Sequence, residues 1–237
     1  MDSMKSTLKN MVIVLFSITA ISALLVALVN NMTKDAIALS QQQTKNTAKF
    51  LVLDTTAEEA RVERDTTHNI GDFAITVSTI VRQSDDSVIG YAVEAPSITK
   101  SGYADRITLM VGFVEQEDKT IINDVEVLSQ KETPGLGANM IKEENSLIRS
   151  IAKKNPAELK FSVTKEGGSF DALTGSTISS RAYANAVETA YAGYLWATGR
   201  LDTSDEALDA APSGASMPYE EINNYEPEAQ KGESDNE

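Results

Sequence analysis

Residues 11–29 form an almost unbroken apolar run, Met-Val-Ile-Val-Leu-Phe-Ser-Ile-Thr-Ala-Ile-Ser-Ala-Leu-Leu-Val-Ala-Leu-Val. As a helix rising about 1.5 Å per residue, it is long enough to cross the hydrocarbon core of a bilayer. Lys5 and Lys9 also suit the basic start of a signal peptide. The run is long for such a peptide, however, and Asn30-Asn31-Met32-Thr33 offers no small-x-small cleavage site. The pattern therefore predicts an uncleaved, single-pass transmembrane helix. Lys5 and Lys9 precede the span and Lys34 follows it beside Asp35, a bias that favours a cytoplasmic N-terminus over residues 1–10. The rest of the chain is then expected on the extracytoplasmic side of the cell's inner membrane.

No Gly or Pro occurs before Gly71, so the helix is expected to continue as a stalk through residues 36–39 and past residues 50–53. Residues 30–69 are read as this stalk and linker. The period then changes. Residues 73–81 and 88–93 read as strands about an Asp85-Asp86 turn, and residues 106–114 and 121–128 as a second pair about Glu117-Asp118-Lys119. Residues 139–155 read as a helix that Pro156 ends, with Leu147, Ile148, Ile151 and Ala152 on one face. Residues 159–163 read as a short strand. A last helix, expected to begin near Ser179, carries Tyr183, Val187, Ala190 and Tyr194 at spacings of four, three and four, with Gly199 as its C-cap. These tyrosines and Trp196 are read as core packing, and His68 as a loop or surface residue. The fold class expected is α+β: one N-terminal transmembrane helix, then a mixed α/β domain with antiparallel strands over residues 70–200.

Composition changes this picture mainly at the C-terminus. The net charge of the 237-residue chain is −14, but residues 201–237 hold eleven acids and one base, a net of −10. That segment is Asp-, Glu-, Ser- and Pro-rich and reads as a disordered acidic tail. Elsewhere Lys and Arg are scattered without a basic stripe, which argues against nucleic acid. With no cysteine and a single histidine, thiol chemistry, iron–sulfur clusters, Cys-type zinc sites and His-rich metal sites are excluded. No Gly-x-Gly-x-x-Gly occurs, because Met140 stands where the last Gly belongs after Gly135-Leu136-Gly137. Redox chemistry on this chain would need a bound organic cofactor.

The densest candidate chemistry is Asp171-Ala172-Leu173-Thr174-Gly175-Ser176-Thr177-Ile178-Ser179. Four hydroxyls surround one Gly, an acid precedes them and a helical pattern follows. A turn at Gly175 and the unpaired N–H groups of a helix start make a place to hold phosphate; a simple helix N-cap with a Gly-bearing turn is the competing reading. A second segment, Glu132-Thr133-Pro134-Gly135-Leu136-Gly137, joins a fixed proline torsion to two glycines that let backbone approach a flat ligand closely.

The first segment resembles the flavinylation motif of the FMN-binding domain family, close to Asp-x-x-Ser/Thr-Gly-Ala-Thr. The second resembles the Glu-Thr-Pro-Gly-Leu-Gly loop of the same family. A weaker echo is Gly102-Tyr103 leading into the strand from Ile107. The resemblance implies a covalently attached FMN, its phosphate joined to Thr177 by a flavin transferase. Ser176 stands where Ala is usual and places a second hydroxyl beside the acceptor. Thr174, Gly175 and Asp171 fall in the same motif, Asp171 as a recognition or capping group. Glu132, Thr133, Gly135, Leu136 and Gly137 are implied near the flavin ring. No catalytic acid–base pair and no metal are implied.

Within the family, the size, single span and motif order resemble the G-subunit branch of Rnf ion-translocating electron-transport complexes. Those complexes link electron transfer between ferredoxin and NAD to Na⁺ or H⁺ movement, so other membrane subunits are implied as partners. The C-subunit branch of Na⁺-translocating NADH:quinone reductases is a close alternative. A tethered adaptor without flavin, and a free-standing flavoprotein reductase, remain open from the residues alone.

Overall fold

A computed structural model describes residues 2–70, 73–98, 107–116 and 119–200. The Gly102-Tyr103 echo, the Glu117-Asp118 turn residues and the acidic segment 201–237 lie outside the described residues. The chain divides into two compact units, with the division between Asn46 and Thr47.

The first unit is helical. Helix α1, Asp2–Leu51, supplies all of its described residues, and α1 is the one described helix long and apolar enough to cross a membrane. Its apolar side chains from Met11 to Val29 are exposed in the isolated chain, among them Leu15, Phe16, Leu24 and Val26. Such a continuous apolar surface is unfavourable in water and suited to lipid or to neighbouring helices. Ser17 and Thr19 donate their hydroxyls back to carbonyls one turn earlier, which satisfies these polar groups within the helix.

The second unit is a five-stranded sheet with one long helix across it. Strands β1 (Ala60–Ile70), β2 (Phe73–Arg82), β3 (Val88–Pro96), β4 (Ile107–Gln116) and β5 (Lys119–Gln130) each pair antiparallel with the next. After β5 come a 3-10 turn at Gly137–Ile141, helix α2 (Ser146–Ile151), further single 3-10 turns, and helix α3 (Thr177–Ala197). The main core lies between one sheet face and α3. Ile75, Val77, Val93, Leu109, Val111 and Phe113 meet Ala182, Tyr183, Ala186, Val187, Ala190 and Tyr194. The helix presents mostly Ala on this face, so its axis lies close to the sheet, with two tyrosines filling the remaining depth. The opposite sheet face is covered in part by Ala48, Val52 and Leu53 around the end of α1, packed with Ala60, Ile80, Ala92 and Met110.

The two expected strand pairs are present, and Tyr183, Val187, Ala190 and Tyr194 are fully buried. Several local readings change. Helix α1 ends at Leu51, and residues 60–69, read as stalk, belong to β1. That strand is an edge of the sheet, and its charged Arg61, Glu63, Arg64 and Asp65 discourage pairing with another chain. His68 therefore sits on a strand, where its ring stacks on half-buried Trp196 with centroids 4.6 Å apart.

The helix expected over residues 139–155 is broken. Asn145 accepts from the Ile148 N–H as an N-cap, while its amide donates to the Met140 and Lys142 carbonyls. Only six residues of α2 remain before Lys153 takes a positive φ of 60°. Residues 159–163 form no strand; Val163 makes an isolated parallel bridge to Phe170.

Candidate functional site

The site forms where the hydroxyl-rich turn enters α3. Gly175 has φ of +73°, a left-handed conformation that costs a glycine little and other residues more. Ser176 follows as the N-cap residue and Thr177 is the first residue of the helix, two residues earlier than the sequence pattern suggested. Ser180 is the first residue whose N–H returns to a carbonyl across the turn, that of Ser176 at 2.9 Å. The N–H groups of Thr177, Ile178 and Ser179 therefore fall in the part of a helix that has no intrahelical acceptor. Ser176 makes no side-chain cap to them. Together these groups form an uncapped, electropositive helix end beside the Thr177 hydroxyl.

The turn itself is rigidly held. The Leu173 N–H donates to Ser180 Oγ at 3.0 Å, Ser180 Oγ donates to the Ser176 carbonyl at 2.8 Å, and the Ser176 N–H donates to the Leu173 carbonyl at 3.1 Å. The Asp171 N–H donates to Ser150 Oγ of α2 at 3.1 Å. Ser176 is buried, Thr177 half-buried, and Asp171, Thr174 and Gly175 exposed.

The 132–137 loop lies against this turn. Ser179 Oγ donates to Glu132 Oε2 at 2.7 Å. Gly137 packs against that bond: a Cβ there would stand 2.7 Å from Ser179 Oγ and 2.8 Å from Glu132 Oε2. Leu136 approaches the turn from the other side, its Cδ2 3.4 Å from where a Cβ on Gly175 would be. Thr133 turns the loop, its carbonyl accepting from the Leu136 and Ala138 N–H groups, and Asn139 Nδ2 donates to the Gly135 carbonyl. Leu136 in the loop and Ile178 in the first turn of α3 leave apolar side chains exposed.

The structure thus brings both sequence motifs together. Sequence reasoning nominated Glu132 but neither Ser179 nor Ser180 as a site residue, although Ser179 was one of the counted hydroxyls. Tyr183, one turn further along α3, is no flavin-stacking candidate: it is fully buried, and burial pushes its phenol far above the ordinary range.

These residues fit the phosphate end of a flavin nucleotide. The uncapped helix end offers N–H groups, Gly175 opens the turn, half-buried Thr177 supplies a hydroxyl at the helix start, and Glu132 Oε1 is buried without a partner among the described residues. Among the described residues no cluster of His, Cys, Asp or Glu is arranged for a metal ion.

Comparison with known proteins agrees with this geometry. The model of the FMN-binding domain matches residues 102–192, which include both motifs. Helix, sheet and site together define a protein built from an N-terminal apolar helix and an FMN-binding domain.

The G subunit of the ion-translocating oxidoreductase complex of Erwinia tasmaniensis is 30% identical over 178 residues, 71% of this chain and 81% of that protein. Its counterpart in Shewanella amazonensis is 30% identical over 200 residues, 77% and 86% of the two chains. The G subunit of the Na⁺-translocating ferredoxin:NAD⁺ oxidoreductase complex of Acetobacterium woodii is 29% identical over 182 residues, 74% and 86%. The chain belongs to this family, the G subunits of ion-translocating oxidoreductase complexes. No solved structure matches it.

Proposed function

We propose that this chain is an electron-carrying subunit whose FMN is joined through its phosphate to Thr177. It would work with other membrane subunits that couple electron transfer between ferredoxin and NAD to the movement of Na⁺ or H⁺. The observation that carries the reading is the meeting of the two motifs at one uncapped helix end, bridged by Ser179 and Glu132. The names of the relatives supply the complex, its ferredoxin and NAD reaction and its ion coupling.

Bound FMN supplies one- and two-electron redox chemistry. The chain's residues hold it. Thr177 Oγ provides the ester oxygen, and the N–H groups of the first turn of α3 donate to the phosphoryl oxygens. Leu136, whose side chain lies against the Gly175 turn, and the 133–137 backbone would pack against the flat ring, and exposed Leu136 and Ile178 would keep water from it. A covalent bond replaces a binding equilibrium, which suits a domain on the extracytoplasmic side of an inner membrane, the side that Lys5 and Lys9 favour. A flavin transferase is the maturation partner, because an unactivated threonine hydroxyl does not attack phosphate unaided.

The test is a denaturing gel viewed under ultraviolet light, after co-expression of the full chain with a flavin transferase. Wild type is expected to fluoresce and Thr177→Ala to be dark. Fluorescence persisting in the variant moves the bond, with Ser176 the nearest alternative. Darkness in both, with the transferase active on a known substrate, refutes the redox reading and leaves a membrane-tethered adaptor.

A further inference from the structure

Glu132 has one carboxylate oxygen more than the fold itself uses. Oε2 accepts from Ser179 Oγ at 2.7 Å. Oε1 is withdrawn from solvent yet has no hydrogen-bond partner among the described residues. A buried carboxylate oxygen without a donor is costly, of the order of 1–3 kcal/mol, and native structures keep few of them. The side chain cannot swing away easily, because Gly137 packs on it: an added Cβ would be 3.0 Å from Glu132 Cβ and 2.8 Å from Oε2. Ser179 is itself buried and lies two residues beyond Thr177 in the same helical turn.

We infer that Glu132 Oε1 is the acceptor for a ribityl hydroxyl of the flavin, which makes Glu132 a positioning residue. The inference rests on the proposed attachment at Thr177. The nearest polyol hydroxyl of FMN is a few bonds from the phosphate, and so from the Thr177 oxygen. The ring N–H lies at the far end of the chain, beyond reach of a side chain tied to the first turn of α3. The hydroxyl donates to Oε1 while Ser179 donates to Oε2, so the carboxylate fixes the direction in which the polyol leaves the helix end. That direction leads the ring toward Leu136.

The test is a cycle crossing a protein change with a cofactor change. Full-length wild type, Glu132→Ala and Glu132→Gln are loaded by the transferase with FAD or with FAD analogues lacking single ribityl hydroxyls. Attachment is read by in-gel fluorescence, and the docked fraction of the attached flavin by its fluorescence anisotropy in detergent. In wild type, one analogue should lower the docked-to-undocked ratio roughly tenfold, as loss of one hydrogen bond to a charged acceptor implies. In Glu132→Ala the same analogue should bring no further loss, the non-additivity expected of direct partners.

Glu132→Gln keeps an acceptor for Ser179 and the packing against Gly137, and should abolish most of the analogue's effect. Equal analogue penalties in all three proteins, or no penalty from any analogue in wild type, overturn the inference and leave Thr177 attachment standing. No attached flavin in wild type, with the transferase active on a known substrate, overturns the attachment and this inference with it.

Discussion

Gly112, in the middle of β4, lies directly under the carbonyl of Val52: a Cβ on Gly112 would stand 2.0 Å from that oxygen. The same carbonyl accepts from Asn123 Nδ2 of β5 at 2.9 Å, so the backbone just after α1 is pinned to two neighbouring strands. Asn123 Nδ2 also donates to Asp54 Oδ2, and Lys153 Nζ bridges Asp54 and Asn123 Oδ1. These hydrogen bonds hold the Asp54 carboxyl below its usual range, that from Asn123 most.

Because the atom opposing Gly112 is backbone, it cannot rotate away as a side chain would. Gly112→Ala is expected to cost about 2–4 kcal/mol, the upper range for overpacking. Chemical unfolding of the detergent-solubilised chain, followed by far-ultraviolet circular dichroism, measures it. A change under half a kilocalorie would show that Val52 moves freely.

Asn145→Ala removes the N-cap of α2 and the two donors to the Met140 and Lys142 carbonyls. A loss of about 1–2 kcal/mol is expected from the cap alone. Since those carbonyls follow the 132–137 loop directly, limited proteolysis should also cut the 137–145 segment faster than in wild type.

Glu188 gives the fold a pH dependence. Burial raises its carboxyl from 4.5 to about 7, although its bond with Asn185 opposes the shift. Between those values the folded state binds more protons than the unfolded one, so this group's contribution to stability is present below about 4.5 and is lost as pH rises through 7. Glu188→Gln should remove that dependence and raise stability at pH 8 by about 1–2 kcal/mol, a figure reduced for partial exposure. Melting temperatures of both proteins from pH 5 to about pH 8 test it. Parallel curves would show that Glu188 ionises freely in the fold.

Ser176→Ala is expected to keep both fold and covalent flavin. The Ser176 hydroxyl makes no cap hydrogen bond, and the carbonyl and N–H that shape the turn belong to its backbone. Mass spectrometry of the intact protein should show full flavin loading in this variant.

What could be read from the chain follows from how far each signal reaches. β2 to β5 announced themselves because Ile75, Val77, Val93, Leu109, Val111 and, in β5, Ile122 and Val125 belong to apolar runs that face the core. β1 did not, because the polar and charged run Arg61 to Asn69, broken only by Val62, carries too few apolar residues to show a face; Ala60 and Asp65 are placed by neighbours such as Lys49, whose Nζ meets Asp65 at 2.9 Å. Leu147, Ile148 and Ile151 gave a true helical face, but the side chain of Asn145 competes with the backbone and starts a new helix there. The two motifs were visible locally. That Ser179 reaches Glu132, 47 residues away, is a tertiary fact that no local period encodes.

The order of the strands has a consequence for when the site exists. Every strand of the sheet pairs with the one made just before it, so the sheet can assemble progressively as the chain emerges. Among the described elements helix α3 is made last, and it both closes the core and brings Ser179 onto Glu132. A partly folded chain has no such junction. If the proposed attachment at Thr177 is made by an enzyme that recognises the junction rather than the bare sequence, that enzyme selects folded molecules, and the bond it makes would double as a certificate of folding.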